Sequence, residues 1–89
     1  MHTIDIVISN KLGLHARAAA KLTQLAGKFS SEIFIARGER RVNAKSIMGV
    51  LMLAAGQGIT VRLDAAGADA AEALQAIHTL FEDKFGEGE

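Results

Sequence analysis

The chain contains no cysteine, proline, tryptophan or tyrosine. Without cysteine it has no disulfide staple, no thiolate nucleophile and no zinc thiolate site. A reducing compartment such as the cytoplasm therefore suits it. It also lacks a charge surplus: ten basic residues balance ten acidic ones. A general nucleic-acid binder carries a basic excess to neutralise phosphates, so that class is not expected. Four phenylalanines are the only aromatics, which leaves little for base stacking. The longest apolar run, Ile47 to Ala55, falls far short of the ~20 residues that span a bilayer. The start, Met1-His2-Thr3-Ile4-Asp5, has neither the basic nor the apolar region of a secretory signal.

What remains is apolar enough to fold. Of 89 residues, 49% are hydrophobic and 22% charged, a balance unlike that of disordered chains. The length suits a single domain over residues 1–89. Thr3 to Ile8 alternates with period two, as a strand does. Ser9 to Leu14 breaks the pattern. From Ala16, the residues Ala18, Ala19, Leu22, Leu25, Ala26 and Phe29 recur at three and four, which predicts a helix with one buried stripe. Gly27 is placed to close it with a left-handed cap.

Glu32 to Ala36 and Arg41 to Ala44 read as strands joined by a hairpin at Arg37-Gly38-Glu39-Arg40. Arg37, Arg40 and Arg41 form a solvated tip in this reading. Ile47 to about Leu53 is a brief apolar helix. Ile59 to Leu63 alternates as a half-buried strand. Asp69 and Glu72 have capping-box spacing, and a last helix follows with Ala70, Ala73, Leu74, Ile77, Phe81 and Phe85 in its stripe. Residues 86–89 are expected to fray. The order is βαββαβα, an α+β class with three helices packed on one face of a four-stranded, mostly antiparallel sheet.

His15 is the first residue to weigh for chemistry. It stands where the helical pattern begins. A helix N-terminus offers unpaired N–H groups and about half a positive charge, which suit an anion. Arg17, in the same first turn, can add a charge-assisted bond to a phosphate oxygen. Imidazole near neutral pH is partly uncharged and so nucleophilic. A His here can attack a phosphoryl group, and the helix end then cradles the product. The bland alternative is an indifferent cap beside a solvated Arg. Ser, Thr, Asp and Asn cap better than His, which tilts the balance towards a function. His2 and His78 have no spacing partner, so no metal site and no cofactor are expected. No carboxylate pair suggests acid–base catalysis and no glycine loop suggests a nucleotide. An independent enzyme is thereby disfavoured.

Gly13-Leu14-His15-Ala16-Arg17-Ala18-Ala19, followed by Val42-Asn43-Ala44-Lys45-Ser46-Ile47-Met48-Gly49-Val50, resembles the histidine-containing phosphocarrier family, HPr, of the bacterial phosphoenolpyruvate-dependent sugar phosphotransferase system. The resemblance covers essentially the whole chain. It implies an open-faced β-sandwich. It implies that His15 takes a phosphoryl group on Nδ1 from enzyme I and passes it to enzyme IIA components, with Arg17 stabilising the group in transit. Ser46 resembles the regulatory serine phosphorylated by the HPr kinase/phosphorylase, although a Ser before a helix is also an ordinary N-cap. Ile47, Met48 and Leu51 share one stripe of the short helix, and the resemblance makes that stripe an apolar docking surface beside the histidine. The resemblance also implies that this chain is a carrier and not an enzyme, with catalysis residing in its partners.

One departure stands out: the family often has Pro where this chain has Ala18, and Pro suits a first helical turn. A regulatory binding module, in nitrogen or carbon signalling, is the rival reading; it would act through Ser46 and the Ile47/Met48 patch and leave His15 idle. The balanced charge suggests a monomer.

Overall fold

The computed structural model describes residues 1–89. Its elements are β1 (His2–Val7), α1 (Ala16–Ala26), β2 (Glu32–Arg37), β3 (Arg40–Asn43), α2 (Ile47–Met52), β4 (Thr60–Ala66) and α3 (Ala70–Glu82), closed by a 3-10 turn at Lys84–Gly86. The strands form one antiparallel sheet in the order β1-β4-β2-β3. Ile6 lies opposite Val61, and Ile35 opposite Leu63. Alternation then sends Ile6, Ile33, Ile35, Val61, Leu63 and Ala65 to one face, where all are buried.

The three helices cover that face. Ala18, Ala19, Leu22 and Ala26 of α1 and Ala70, Ala73, Leu74, Ile77 and Phe81 of α3 face inward. Val50 and Leu53 complete the core from α2 and its exit. Each large side chain fully buried here contributes about 1.5–3 kcal/mol. The alanines of α1 do more than favour helix: lacking bulk, they bring the helix backbone, and the loop before it, close to the sheet.

The opposite face of the sheet carries no helix, as the open-faced reading requires. Its own side chains cover it. Asp64 accepts from Thr3 Oγ1 at 2.9 Å and from Arg41 Nε at 3.2 Å, and Arg41 lies 3.9 Å from the centre of the Phe34 ring. Arg62 pairs with Asp5 across the β1–β4 ladder at 3.0 Å.

Several local expectations change. Gly27 is right-handed (φ −64°), not left-handed. The chain instead tightens into i to i−3 bonds, from Lys28 to Leu25 and from Phe29 to Ala26. The arginines are not a solvated tip. Arg37 donates to the carbonyls of Leu53 and Ala54, and Arg40 to that of Met52 at 2.7 Å. They satisfy the open C-terminal end of α2, where cations belong. Helix α3 stops at Glu82, and Phe85 is buried from a left-handed backbone (φ 56°), stacked edge-on against Phe81. The tail beyond it is not frayed: Glu87 bonds His15 and Asn10, and the Glu89 carbonyl accepts from the Lys11 amide.

Asp69 makes no capping bond to its own helix. Its carboxylate accepts from the amides of Ser30 and Ser31, at 2.9 Å each, and from the Ser31 hydroxyl. The Ser31 hydroxyl foremost, then the Ser30 amide, hold its pKa at about 2. A depressed carboxyl contributes stability above its ordinary value, near 4, and loses it as the pH falls towards 2. Asp69→Asn is therefore expected to lower the urea midpoint at neutral pH. The gap from the unsubstituted protein should narrow on acidification to about pH 2, read from denaturation curves at both pH values.

Candidate functional site

His15 is the N-cap of α1, with extended backbone (φ −77°, ψ −179°). Its carbonyl accepts from the Ala19 amide at 2.8 Å, the first bond of the helix. Its ring makes no capping bond and is thus free for other work. The amides of Ala16, Arg17 and Ala18 find no acceptor in the protein. These are the orphan donors of a helix start, pointing along the positive end of the dipole. Ala18 needs no amide partner here, so the site is compatible with either Ala or the family's Pro.

Arg17 is exposed and makes neither an ion pair nor a hydrogen bond. Lys11, Leu12, His15, Arg17, Glu87 and Glu89 are among the residues lining a surface cleft of about 640 Å³. The imidazole side chain is 28% exposed. A surface ring with one guanidinium and the free amides of the exposed Ala16 and Arg17 nearby can receive a compact anion such as a phosphoryl group.

The loop before α1 is fixed from below. Gly13 is left-handed (φ 66°). Its carbonyl accepts from the buried Asn10 side chain at 2.8 Å, and the next amide, that of Leu14, donates to Ala55 at 2.9 Å. Thus the exit of α2 supports the residue pair that precedes His15.

Ser46 caps α2, accepting from the Gly49 amide at 3.1 Å. Ile47 and Met48 are 41% and 66% exposed. Leu51 departs from the expected outward stripe: it is half-buried and packs against the core. Met52, 62% exposed, takes its place in the apolar surface. His2 and His78 are not drawn into any cluster of metal-ligating side chains; His78 pairs with Glu82 one turn on.

Sequence reasoning missed Asn10, Lys21 and Glu87. Asn10 donates to Glu87 Oε1 at 3.0 Å, Lys21 donates to the Phe85 carbonyl, and Glu87 Oε2 meets His15 Nε2. Asn10 carried a weak signal as a polar residue inside a loop between apolar elements. Glu87, in a Gly-Glu repeat, carried none.

The family model described as "PTS HPr component phosphorylation site" matches residues 2–83. The chain belongs to the HPr phosphocarrier family of the phosphotransferase system. The phosphocarrier protein HPr of Cupriavidus necator is 60% identical over 85 residues, 96% of each chain. The phosphocarrier protein NPr of Shewanella violacea is 51% identical over 83 residues, 93% of this chain and 91% of that one. Among solved structures, HPr-C-His from Thermoanaerobacter tengcongensis superposes with a TM-score of 0.95 at 50% identity, covering 98% of both chains. The HPr-family fold is therefore that of this chain. No helix is long and apolar enough to cross a membrane.

Proposed function

We propose that the protein is a covalent phosphoryl shuttle, a single carrier domain over residues 1–89 and not itself an enzyme. His15 Nδ1 accepts a phosphoryl group from the phosphohistidine of enzyme I. It then yields the group to a histidine of an enzyme IIA component. Arg17 neutralises the group while it is held. The observation that carries this reading is the unengaged helix end: a partly exposed His15 ring beside the amides of the exposed Ala16 and Arg17 and a guanidinium, all without partners.

The exposed face of α2, with Ile47, Met48 and Met52, serves as the docking surface, and its methionines suit several partners. Leu51 supports that surface from beneath. Ser46 is a regulatory phosphorylation site for an HPr kinase/phosphorylase. A phosphate there adds about −1.5 to −2 charges at a helix N-terminus, which tolerates them, and repels acidic partner surfaces. The carrier works as a monomer in the cytoplasm, serving sugar uptake and carbon regulation. The likeness to an NPr favours, as a second reading, the same chemistry in a nitrogen-regulatory branch.

Incubation with enzyme I and phosphoenolpyruvate, followed by intact mass measurement, tests the proposal. One acid-labile phosphoryl group is expected. An unchanged mass overturns the carrier reading. In a parallel incubation with an HPr kinase/phosphorylase and ATP, an acid-stable group on Ser46 from a protein that gains nothing from enzyme I supports the purely regulatory module. Transfer onward to a sugar-type or a nitrogen-type enzyme IIA separates the two branches.

A further inference from the structure

Phe85 is buried against Phe81, its carbonyl is held by Lys21, and the Glu89 carbonyl is held by the Lys11 amide at 3.1 Å. Between these two anchors Glu87 turns inward. One of its oxygens takes the Asn10 side-chain amide and the other meets His15 Nε2. Its side chain is only 12% exposed. Three successive left-handed residues, Lys84, Phe85 and Gly86, reverse the chain after α3 and bring it there. Such conformations are costly for Lys and Phe, so the docking contacts have to sustain them.

We infer that Glu87 is a positioning residue for the phosphoryl-accepting histidine, holding the proton on Nε2 so that the Nδ1 lone pair stays free. This rests on the carrier reading above, and it adds a residue that lies beyond the segment matched by the family model. A carboxylate has no proton to give, so the ring must donate, and the donor atom is Nε2. Nδ1 makes no hydrogen bond within the protein. Desolvation pushes the Glu87 carboxyl up, but the bonds from His15 and Asn10 and the nearby His15 and Lys21 charges together bring it below its ordinary value. It is thus ionised when the carrier works.

The step balances on these atoms. The Nδ1 lone pair forms the new N–P bond as the donor phosphohistidine's N–P bond breaks, and that bond's electron pair returns to the donor nitrogen. The His15 ring keeps its Nε2 proton and becomes cationic. Glu87, on the far side of the ring from the phosphoryl group, balances that charge. Return of the electron pair to Nδ1 on onward transfer restores the neutral ring with the same proton in place.

Heteronuclear NMR of the ring nitrogens in the unphosphorylated, full-length protein reads the tautomer directly. The Nε2–H form of His15 should dominate at neutral pH. In Glu87→Ala the ratio of the two tautomers should fall about tenfold, the population change one charge-assisted hydrogen bond produces. The rate of phosphorylation by enzyme I should fall about tenfold as well, more than the reactive tautomer's population changes, because the ring that becomes cationic in the transfer has lost its counter-charge. Glu87→Gln, which keeps an acceptor oxygen without charge, should lie between. A tail contributing only packing would leave the ring shifts unmoved. Unchanged tautomer ratio and rate in Glu87→Ala overturn the inference. A wild-type protein that gains no phosphoryl group overturns the carrier reading instead, and the ring shifts judge the Glu87 contact independently of it.

Discussion

His15→Ala is expected to abolish acid-labile phosphorylation while leaving the fold in place. The loss is all-or-none because no other group in the cleft can substitute. Lys11 and Arg17 are cationic and have no free lone pair, the Glu87 oxygens are already engaged by Asn10 and His15, and Glu89 has no paired cation to offset an incoming phosphoryl dianion. His2 lies in β1 and His78 in α3, outside the cleft. The fold survives because the ring's one side-chain bond, to Glu87, is only one of the tail's anchors; Phe85 against Phe81, Lys21 on the Phe85 carbonyl, and Asn10 on Glu87 remain. The ring makes no capping bond, and the helix starts through the His15 carbonyl, which alanine also supplies. A poorer cap residue costs at most about 1 kcal/mol. The check pairs two measurements on one sample: intact mass after incubation with enzyme I and phosphoenolpyruvate, and the urea midpoint. Residual acid-labile phosphate in a folded His15→Ala protein would place the acceptor elsewhere.

The residues that made this site readable were local ones. The switch from period two to period three-and-four locates the start of α1 within a residue or two, and His15 and Arg17 follow from it. The alternation in β1, β2 and β4 gives the buried face, since each strand needs only its own pattern to say which side is apolar. What stayed hidden depends on contacts between distant segments. Asp69 has the spacing of a cap, yet Ser30 and Ser31, nearly forty residues earlier, present three donors to it. Arg37 and Arg40 sit at a hairpin, where solvent is the default expectation, but the hairpin folds over the end of α2. The tail shows the same limit. Gly86 and Gly88 announce flexibility, and only the burial of Phe85 beside Phe81 turns the last residues back onto the site.

Gly13→Ala should be the most damaging single-methyl change near the site. A Cβ at this position would lie 2.6 Å from both the Ala55 carbonyl oxygen and Gly56 Cα. Both obstacles are backbone, so no side chain can swing aside. The left-handed conformation adds about 1–2 kcal/mol for a residue with a Cβ, and forcing the loops apart adds about 1–3 kcal/mol. A total of about 2–5 kcal/mol lowers the melting temperature of a domain this size by about 10 °C or more. Gly38 provides the control. It is also left-handed (φ 59°), but a Cβ there meets nothing within 4 Å, so Gly38→Ala should lose only the conformational part. The functional consequence separates them further. Parting Gly13 from Ala55 breaks the support under Leu14 and strains the Asn10 bond to the Gly13 carbonyl, and Asn10 also holds Glu87. Phosphorylation of Gly13→Ala, measured well below its melting temperature, should therefore be slowed, whereas Gly38→Ala should accept phosphate at the normal rate. Equal melting temperatures for the two variants would mean that the Ala55–Gly56 turn yields freely, and that the loop bearing His15 is not braced from beneath.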